Sequence, residues 1–276
     1  TEAPSLTDKY SSTDFVIMKG DNRITSGTEF DESFPQDENG LRFPKFNGTN
    51  QATADTQICV FPHECVNFGS DDFTLSEWVK FDETQHAGGT GTYVFILSFA
   101  YNAANSIVLH TINGNDTLYV YEITVNGRTY ISSSHIFTTN LTNFIVSRSG
   151  GVMHFYMNGV KIGTHTLQTA GLSLPAPATS YTTQNSNLYT IGSSKPRRHP
   201  NHTGFNLYRT DIWKNLGITT QSEINKIYAQ GINEKFNNPN LNILETKPNH
   251  TFIFHNQGTE APSLTDKYSS TDFVIM

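Results

Sequence analysis

Short runs of alternating apolar and polar residues, the pattern of a half-buried β-strand, recur along most of the chain. The run at 73–81 is the most regular, with the odd positions on one face and the even positions on the other. Residues 93–101 are apolar on both faces, which predicts a central strand. Further strands are predicted at 106–112, 118–125, 129–132, 143–147, 152–157, 187–191, 204–213 and 251–255. The pattern predicts an all-β chain.

Turn residues separate these predicted strands. Asn47-Gly48 is the strongest short hairpin signal, and Asn126-Gly127 and Asn158-Gly159 are predicted as two-residue hairpin turns. One carboxylate, Glu77, interrupts an otherwise apolar strand face. Three interpretations are open for Glu77: hydroxyl donors satisfy it, a β-bulge moves it outward, or it belongs to a functional site.

One short amphipathic helix is predicted near residues 221–230. Thr220 and Glu223 have the spacing of a capping box, and Ile224 and Ile227 follow at helical spacing. Gly231 is the expected helix end. In a β-rich chain, such a helix is expected to cover one end of the sandwich.

The most informative feature is an exact repeat, because residues 1–18 return unchanged as residues 259–276. The repeat ends in an apolar run that predicts a strand, and one fold has a single place for that strand. We therefore expect three parts: residues 1–18 as an inter-unit strand or linker, 19–258 as the folded unit, and 259–276 as a donor strand or the start of the next unit. The predicted inter-unit strand residues are Phe15, Val16, Ile17 and Met18 and their copies Phe273, Val274, Ile275 and Met276.

Three explanations of the repeat remain open. In the first, units exchange strands between neighbouring chains, as fibre subunits do. In the second, the chain is a segment of a longer tandem array. In the third, a strand was appended by design to close a fibre subunit on itself. The first two predict a filament whose partner is another copy of the same chain.

Composition narrows the class of partner. Only 16% of the residues are charged, and the net charge is -7. Residues 1–40 hold nine acidic and three basic residues, so nucleic acid is not an expected partner. The longest apolar run is far below the roughly 20 residues that span a bilayer, so membrane insertion is not expected either. A surface rich in Asn, Thr, Ser and Gly favours an extracellular or cell-surface location.

Two cysteines, Cys59 and Cys65, bracket a five-residue segment that contains His63. In an exported chain this spacing favours a disulfide, and a metal site with His63 is the weaker alternative because a fourth ligand is missing. Five Asn-x-Thr sequons are candidate glycosylation sites: Asn47, Asn115, Asn140, Asn201 and Asn249.

A basic segment contains Lys195, Arg197 and Arg198. Its simplest interpretation is a solvated loop. The sharper hypothesis is an inter-unit contact with the acidic first 40 residues of an adjacent unit, which would weaken with salt.

Four segments resemble a known family in order and spacing. They are 43–50 with its Phe-Asn-Gly-Thr-Asn, the strand 73–81, the hairpin 144–164 around Tyr156-Met157-Asn158-Gly159, and the stretch 189–231 with its Ile-Gly turn and Glu-Ile helix. Together they resemble the laminin-G-like domains of the concanavalin A-like lectin/glucanase superfamily. The resemblance implies a two-sheet antiparallel β-sandwich, or jelly roll, that binds carbohydrate or protein and in some members hydrolyses glucans.

Catalysis is not expected. The hydrolases of that superfamily place two carboxylates on one strand, whereas Glu77 and Glu122 each stand alone in their strands. Asp71 with Asp72, or the Asn113, Asn115 and Asp116 group, offers oxygen ligands for calcium, although both stretches are also typical of Asx turns. No other cofactor is expected.

Two functions follow from these observations. The first is a structural subunit of an extracellular fibre or surface appendage, joined by strand exchange or by covalent tandem repeat. The alternative is a carbohydrate-binding, lectin-like module of a surface adhesin, in which Tyr101, Tyr121 or Tyr181 would stack on sugar rings.

Overall fold

The fold is given by a computed structural model, and secondary structure is described for sixteen stretches of the chain. These are residues 16–19, 22–23, 41–42, 45–46, 57–61, 63–81, 93–100, 103–112, 117–125, 128–136, 140–167, 172–177, 189–192, 205–235, 246–253 and 256–257.

Strands dominate these residues. They are β1 (Val16–Lys19), β2 (Asn22–Arg23), β3 (Leu41–Arg42), β4 (Lys45–Phe46), β5 (Gln57–Val60), β6 (Phe73–Phe81), β7 (Tyr93–Phe99), β8 (Ser106–Ile112), β9 (Thr117–Val125), β10 (Arg128–Ile136), β11 (Thr142–Ser149), β12 (Val152–Met157), β13 (Val160–Thr166), β14 (Tyr189–Gly192), β15 (Phe205–Lys214), β16 (His250–Ile253) and β17 (Asn256–Gln257). The two helices in the described part are α1 (His63–Val66) and α2 (Gln221–Lys235).

The strands form two large antiparallel sheets. One has eight strands in the order β10-β9-β8-β7-β14-β5-β1-β2, and the other has seven, with β13-β12-β11-β6-β15-β16 as its main path and β4 beside β15. A small third sheet pairs β17 with β3. The predicted all-β, two-sheet antiparallel sandwich is confirmed, and β7 is flanked by strands on both sides as predicted.

The main core lies between the facing sides of the two large sheets. Strand β6 contributes Phe73, Leu75 and Val79 to it, and β7 contributes Leu97 and Phe99, all fully or almost fully buried. These residues follow the period of two that the sequence shows, which is why β6 has the predicted bounds. Burial of each such side chain stabilises the fold by about 1.5–3 kcal/mol.

Helix α2 packs on the outer face of the seven-stranded sheet. Ile224 and Ile227 form a second apolar cluster with Ile145, Tyr156 and Trp213 of that sheet. The expected position over one end of the sandwich was wrong, because Ile145, Tyr156 and Trp213 make part of the outer face of this sheet apolar and the helix covers them. No helix in the described part of the chain is both long and apolar enough to cross a membrane.

The predicted helix start is confirmed and the predicted end is wrong. Helix α2 begins at Gln221, directly after Thr220, whose carbonyl accepts a hydrogen bond from the Ile224 amide at 3.1 Å. It then continues through Gly231 to Lys235. A glycine inside a helix costs only about 0.5–1 kcal/mol, and the buried contacts of the helix outweigh this cost.

The Asn158-Gly159 hairpin connects β12 and β13 as predicted. Both residues have positive φ, 51° for Asn158 and 77° for Gly159, which is the conformation that favours these residue types in a two-residue turn. The Asn158 side chain also accepts a hydrogen bond from the Asn143 amide at 2.9 Å. The turn is therefore tied to the neighbouring strand β11.

Candidate functional site: the loop end of the sandwich

Four connections meet at one end of the sandwich, and we call them the loop end: residues 67–72, 103–105, 149–151 and 172–177. Strand β6 begins and β11 ends here, and the two strands pair antiparallel with Arg148 opposite Phe73. Antiparallel pairing places the start of one strand beside the end of the other. Residues distant in sequence are therefore neighbours at this end.

Hydrogen bonds join these loops to one another. The Gly150 amide donates to both oxygens of the Asp72 carboxylate, at 3.0 and 3.1 Å. The Leu174 amide donates to the Gly69 carbonyl at 3.0 Å. The Asn105 side-chain amide donates to the Ser173 carbonyl at 3.1 Å. The loops thus form one connected polar network.

Arg148 lies beneath this network and links two of the loops. Its guanidinium donates to the Leu172 carbonyl and, at 3.4 Å, to the Gly69 carbonyl. The residue is only 4% exposed. Burial lowers the pKa of Arg148, whereas the negative charges of Asp72 and Asp71 oppose that shift. The guanidinium is therefore a buried positive charge that orders the loop end.

Aromatic rings support the loops from the core side. The ring of Phe68 stacks on that of Phe73, with centroids 4.3 Å apart, and the ring of Phe99 stacks on that of Tyr189 at 4.7 Å. The Tyr189 hydroxyl donates to the Pro175 carbonyl at 2.9 Å. Burial raises the pKa of Tyr189, so this hydroxyl keeps its proton and its hydrogen bond. Large buried side chains thus anchor the loops to the core.

The outer surface of the loop end is mostly polar. Four side chains with amide, carboxylate or hydroxyl groups are exposed there: Asn67, Ser70, Asp71 and Ser173. Such groups donate to and accept from sugar hydroxyls. Among the described residues of the loop end, none is an exposed aromatic residue. The arrangement can therefore supply directed hydrogen bonds on a rigid support.

The second candidate functional group is the buried carboxyl of Glu77. Glu77 is 1% exposed and lies on the core-facing side of β6. One of its oxygens accepts a hydrogen bond from the Thr210 hydroxyl at 2.6 Å, and the other, Oε1, has no hydrogen-bond partner among the described residues. Burial raises the pKa of Glu77 well above its ordinary value; the Thr210 bond opposes this rise and the charge of Asp211 adds to it.

This geometry decides among the three interpretations of Glu77. A hydroxyl donor satisfies one oxygen, and the residue pairs with Phe144 and Thr210 on the core-facing side. The register shift of the β6–β15 pair lies between Leu207 and Arg209 and does not move Glu77 outward. Since Glu77 is enclosed by the core, its oxygens cannot reach a glycosidic bond at the surface. Glu77 is a structural residue in this fold.

A buried ion pair occupies the opposite face of the same strand pair. Arg209 donates to Asp211 from Nε at 2.6 Å and from a terminal nitrogen at 2.9 Å. The Thr251 hydroxyl donates to the same carboxylate at 2.6 Å. The bidentate geometry and the hydroxyl together satisfy this buried charge.

The first-copy strand residues have a clear place in the fold. Val16, Ile17 and Met18 form most of β1, between β5 and β2 in the eight-stranded sheet. Phe15 and the second copy, Phe273–Met276, lie outside the described residues. The basic segment with Lys195, Arg197 and Arg198 also lies outside them.

The remaining predicted sites are only partly covered. Cys65 is buried in α1, whereas the side chain of Cys59 is outside the described part, so the disulfide stays a prediction. Asn140 and Asn249 are exposed, as glycan attachment requires. The other sequons (Asn47, Asn115 and Asn201) and the side chains of Tyr101, Tyr121 and Tyr181 lie outside the described set.

The calcium hypothesis gains little from the structure. The Asp72 carboxylate already accepts the Gly150 amide of another loop, while Asp71 is exposed beside it. Among the described residues, no group of three or more His, Cys, Asp or Glu side chains could hold a metal ion. The second candidate group, Asn113, Asn115 and Asp116, falls outside those residues.

Sequence reasoning missed Arg148 and the Arg209–Asp211 pair. A signal was present for both, since Arg148 continues the core-facing positions of Phe144 and Val146, and Arg209 and Asp211 share one strand face. A charge at a buried strand position needs a partner. For Arg209 that partner is two residues away on the same strand, whereas the partners of Arg148 depend on chain pairing that the local pattern does not give.

The fold and the loop end define an antiparallel β-sandwich of lectin type. The laminin G family model, described as concanavalin A-like lectin/glucanases superfamily, matches residues 52–225. The chain therefore belongs to this family, and the resemblance seen in the sequence is confirmed. A search among curated proteins finds no match.

Several solved structures of binding domains are similar to this chain. The binding domain of botulinum neurotoxin DC in complex with SialylT is 12% identical, with a TM-score of 0.51 over 79% of this chain and 46% of that chain. The serotype D/C VPI 5993 binding domain is 13% identical, with a TM-score of 0.50 over 79% and 47%. The binding domain of Paraclostridial Mosquitocidal Protein 1 is 15% identical, with a TM-score of 0.49 over 81% and 53%. The chain thus spans about half the length of these domains.

Proposed function

We propose that this chain is a non-catalytic carbohydrate-binding module of an extracellular or cell-surface protein, and that sugar binds at the loop end. The observation that carries the proposal is the set of exposed amide, carboxylate and hydroxyl groups held in place by four hydrogen-bonded loops. Preorganised loops lose little conformational entropy when a ligand binds. In a lectin-type sandwich, this surface is well suited to sugar hydroxyls.

Two further points support binding without catalysis. The similar toxin domains are named as binding domains, one of them in complex with SialylT, although similarity at this level extends only to the fold. The buried position of Glu77 removes the carboxyl that interrupts the apolar face of β6 from any surface cleft. Tyr101 belongs by sequence to the same β7–β8 connection as Asn105, and we propose it as the ring that stacks on the sugar.

The test is glycan-array screening of the full chain, followed by titration of the best glycan. Replacing Asn67 and Asp71 together by alanine should weaken binding by at least about tenfold, since each substitution removes a hydrogen-bonding group at the site. The matched control is Thr164→Ala with Thr166→Ala, two exposed positions on β13. Equal binding by the loop-end variant and wild type, or no binding to any glycan, would contradict the proposal.

A second function is favoured by the exact repeat. We propose three parts: residues 1–18 as the joint between units, 19–258 as the sandwich, and 259–276 as the start of a following unit. The chain would then be a structural subunit of an extracellular fibre or surface appendage, and its partner would be another copy of the same chain. Both functions are compatible, because an array of lectin modules gains avidity from its repeats.

The position of β1 supports a covalent tandem array over exchange between separate chains. In this chain, the first copy already fills the place between β5 and β2. Exchange between such chains would replace each strand by an identical one, with no net gain in pairing. Electron microscopy of the protein should show rods with a constant axial repeat; globular single particles would contradict the fibre function and leave glycan binding untouched.

A further inference from the structure

The repeat places two identical strands in competition for one position. Strand β1 runs antiparallel to β5, with Val16 opposite Val60, Ile17 opposite Cys59, Met18 opposite Ile58 and Lys19 opposite Gln57. On its other side it pairs with β2 through Met18 and Lys19. The edge of β5 and the edge of β2 thus form a slot for one strand.

The second copy carries the same residues as the strand in this slot. Val274, Ile275 and Met276 repeat Val16, Ile17 and Met18 within an identity of 18 residues. Strand register is set by the side-chain pattern and the backbone hydrogen bonds. An identical sequence therefore has an identical register available to it, with Val274 opposite Val60.

The chain is long enough for its second copy to reach this slot. Sixteen residues, 258–273, separate the end of β17 at Gln257 from Val274. Fully extended, they span up to about 50 Å. An eight-stranded sheet is only about 35 Å wide, and facing sheets lie about 10 Å apart.

The first copy occupies the slot in the intact chain for a physical reason. Only residues 20–21 separate β1 from β2, so pairing of these two strands closes a very short loop. A loop of sixteen residues costs more entropy to close. The second copy is therefore the weaker competitor, and it can repeat three of the four β1–β5 pairs, those of Val16, Ile17 and Met18.

We infer that the slot between β5 and β2 accepts residues 274–276 of the same chain whenever β1 is lost. Residues 1–258 and 19–276 would then each supply a strand for this slot. In an array, a unit that loses its leading strand would be completed by the segment that follows it. This inference does not depend on glycan binding.

A double-mutant cycle on the full chain tests the inference. Ile17→Pro disables the first copy and Ile275→Pro disables the second, because proline is not tolerated in a central strand. Ile275→Pro alone should leave the urea midpoint unchanged. Ile17→Pro alone should lower it modestly, and the double variant should lose more than the sum of the two. Ile17→Val is the conservative control.

Hydrogen exchange read by mass spectrometry gives a second readout that does not require the double variant to fold. The proline makes the two otherwise identical copies distinguishable by mass. In Ile275→Pro, the segment 1–18 should be protected; in Ile17→Pro, the segment 259–276 should gain that protection. Equal, fast exchange of both segments in Ile17→Pro would overturn the inference.

Light scattering identifies the occupant. A monomeric Ile17→Pro variant with a protected second copy supports docking within one chain. Protection that appears together with dimers or larger species at high protein concentration would overturn docking within the chain and assign the slot to the copy from a second chain. Failure of the inference leaves the tandem-array function standing, because that function needs only the repeat itself.

Discussion

The two faces of the β6–β15 strand pair each bury a carboxyl, but they differ in the hydrogen-bond donors that they provide for it. On the core side, Glu77 has one hydroxyl donor, an oxygen without a partner in the described part of the fold, and a pKa well above its ordinary value. On the outer side, Asp211 accepts two bonds from Arg209 and one from Thr251. Both residues are about equally buried. The comparison teaches that two carboxyls with almost the same burial can have very different sets of hydrogen-bond donors.

The consequence for stability differs between the two faces. A satisfied ion pair becomes costly when one partner is removed, because the other charge is left buried. A carboxyl with too few donors is most easily accommodated as the neutral acid, and it becomes costly when it must ionise. The two sites should therefore respond differently to substitution and to pH.

The largest expected effect is that of Asp211→Ala. The Arg209 guanidinium would lose its bidentate partner inside the protein, so the free energy of unfolding should fall by about 3–5 kcal/mol. Urea unfolding measures the change. The matched control is Asp71→Ala at the exposed loop end, which should change stability by no more than about 0.5 kcal/mol. A similar small change for both variants would show that the ion pair does not stabilise the fold.

The next effect concerns the hydroxyl that supports the ion pair. Thr251→Val keeps the side-chain shape and removes the donor to Asp211, so a hydrogen bond to a charged group is lost. We expect a loss of about 1.5–3 kcal/mol in the same unfolding measurement. In the Asp211→Ala background the substitution should cost much less, and full additivity of the two losses would argue against this coupling.

The pH dependence of stability should come from the core side. Between the ordinary glutamate pKa and the raised pKa of folded Glu77, the folded chain holds a proton that the unfolded chain has lost. The stability that Glu77 contributes is therefore complete below the ordinary pKa and is lost as the pH rises through the folded-state pKa, with a slope of up to about 1.4 kcal/mol per pH unit.

Glu77→Gln removes this titration, so the stability of the variant relative to wild type should rise with pH. Urea unfolding at a series of pH values above 4 measures the difference. Glu64→Gln, at an exposed position in α1, is the control and should leave the wild-type profile unchanged. A Glu77→Gln profile parallel to that of wild type would mean that Glu77 is ionised in the folded protein.

The smallest effect is expected for Thr210→Val. Glu77 loses its hydroxyl donor, which costs about 1 kcal/mol at acidic pH where the carboxyl is neutral. Because the Thr210 bond lowers the pKa of Glu77, its removal should extend the loss of stability to higher pH. Urea unfolding of this variant and of Thr251→Val at equal pH compares the stability that one hydroxyl contributes on each face.

Local patterns determined much of the fold. The alternation at 73–81 defined β6 to the residue, the Asn158-Gly159 turn is where the sequence placed it, and Thr220 marks the start of α2. Each of these features depends on residues that are close together in the chain, so spacing alone carries the information. The exact repeat is also a property of sequence alone.

Only the tertiary structure decided which distant residues meet. The loop end exists because antiparallel pairing brings Asp72 to Gly150 and Arg148 to Leu172. Gly217 is required because a Cβ there would lie 2.0 Å from the Arg148 carbonyl oxygen. No local sequence pattern predicts this contact. Glu77 and Asp211 likewise each accept a hydrogen bond from a hydroxyl on a neighbouring strand, that of Thr210 and that of Thr251. The physical reason is that hydrogen bonding, burial and close contact depend on position in space, whereas periodicity records only position along the chain.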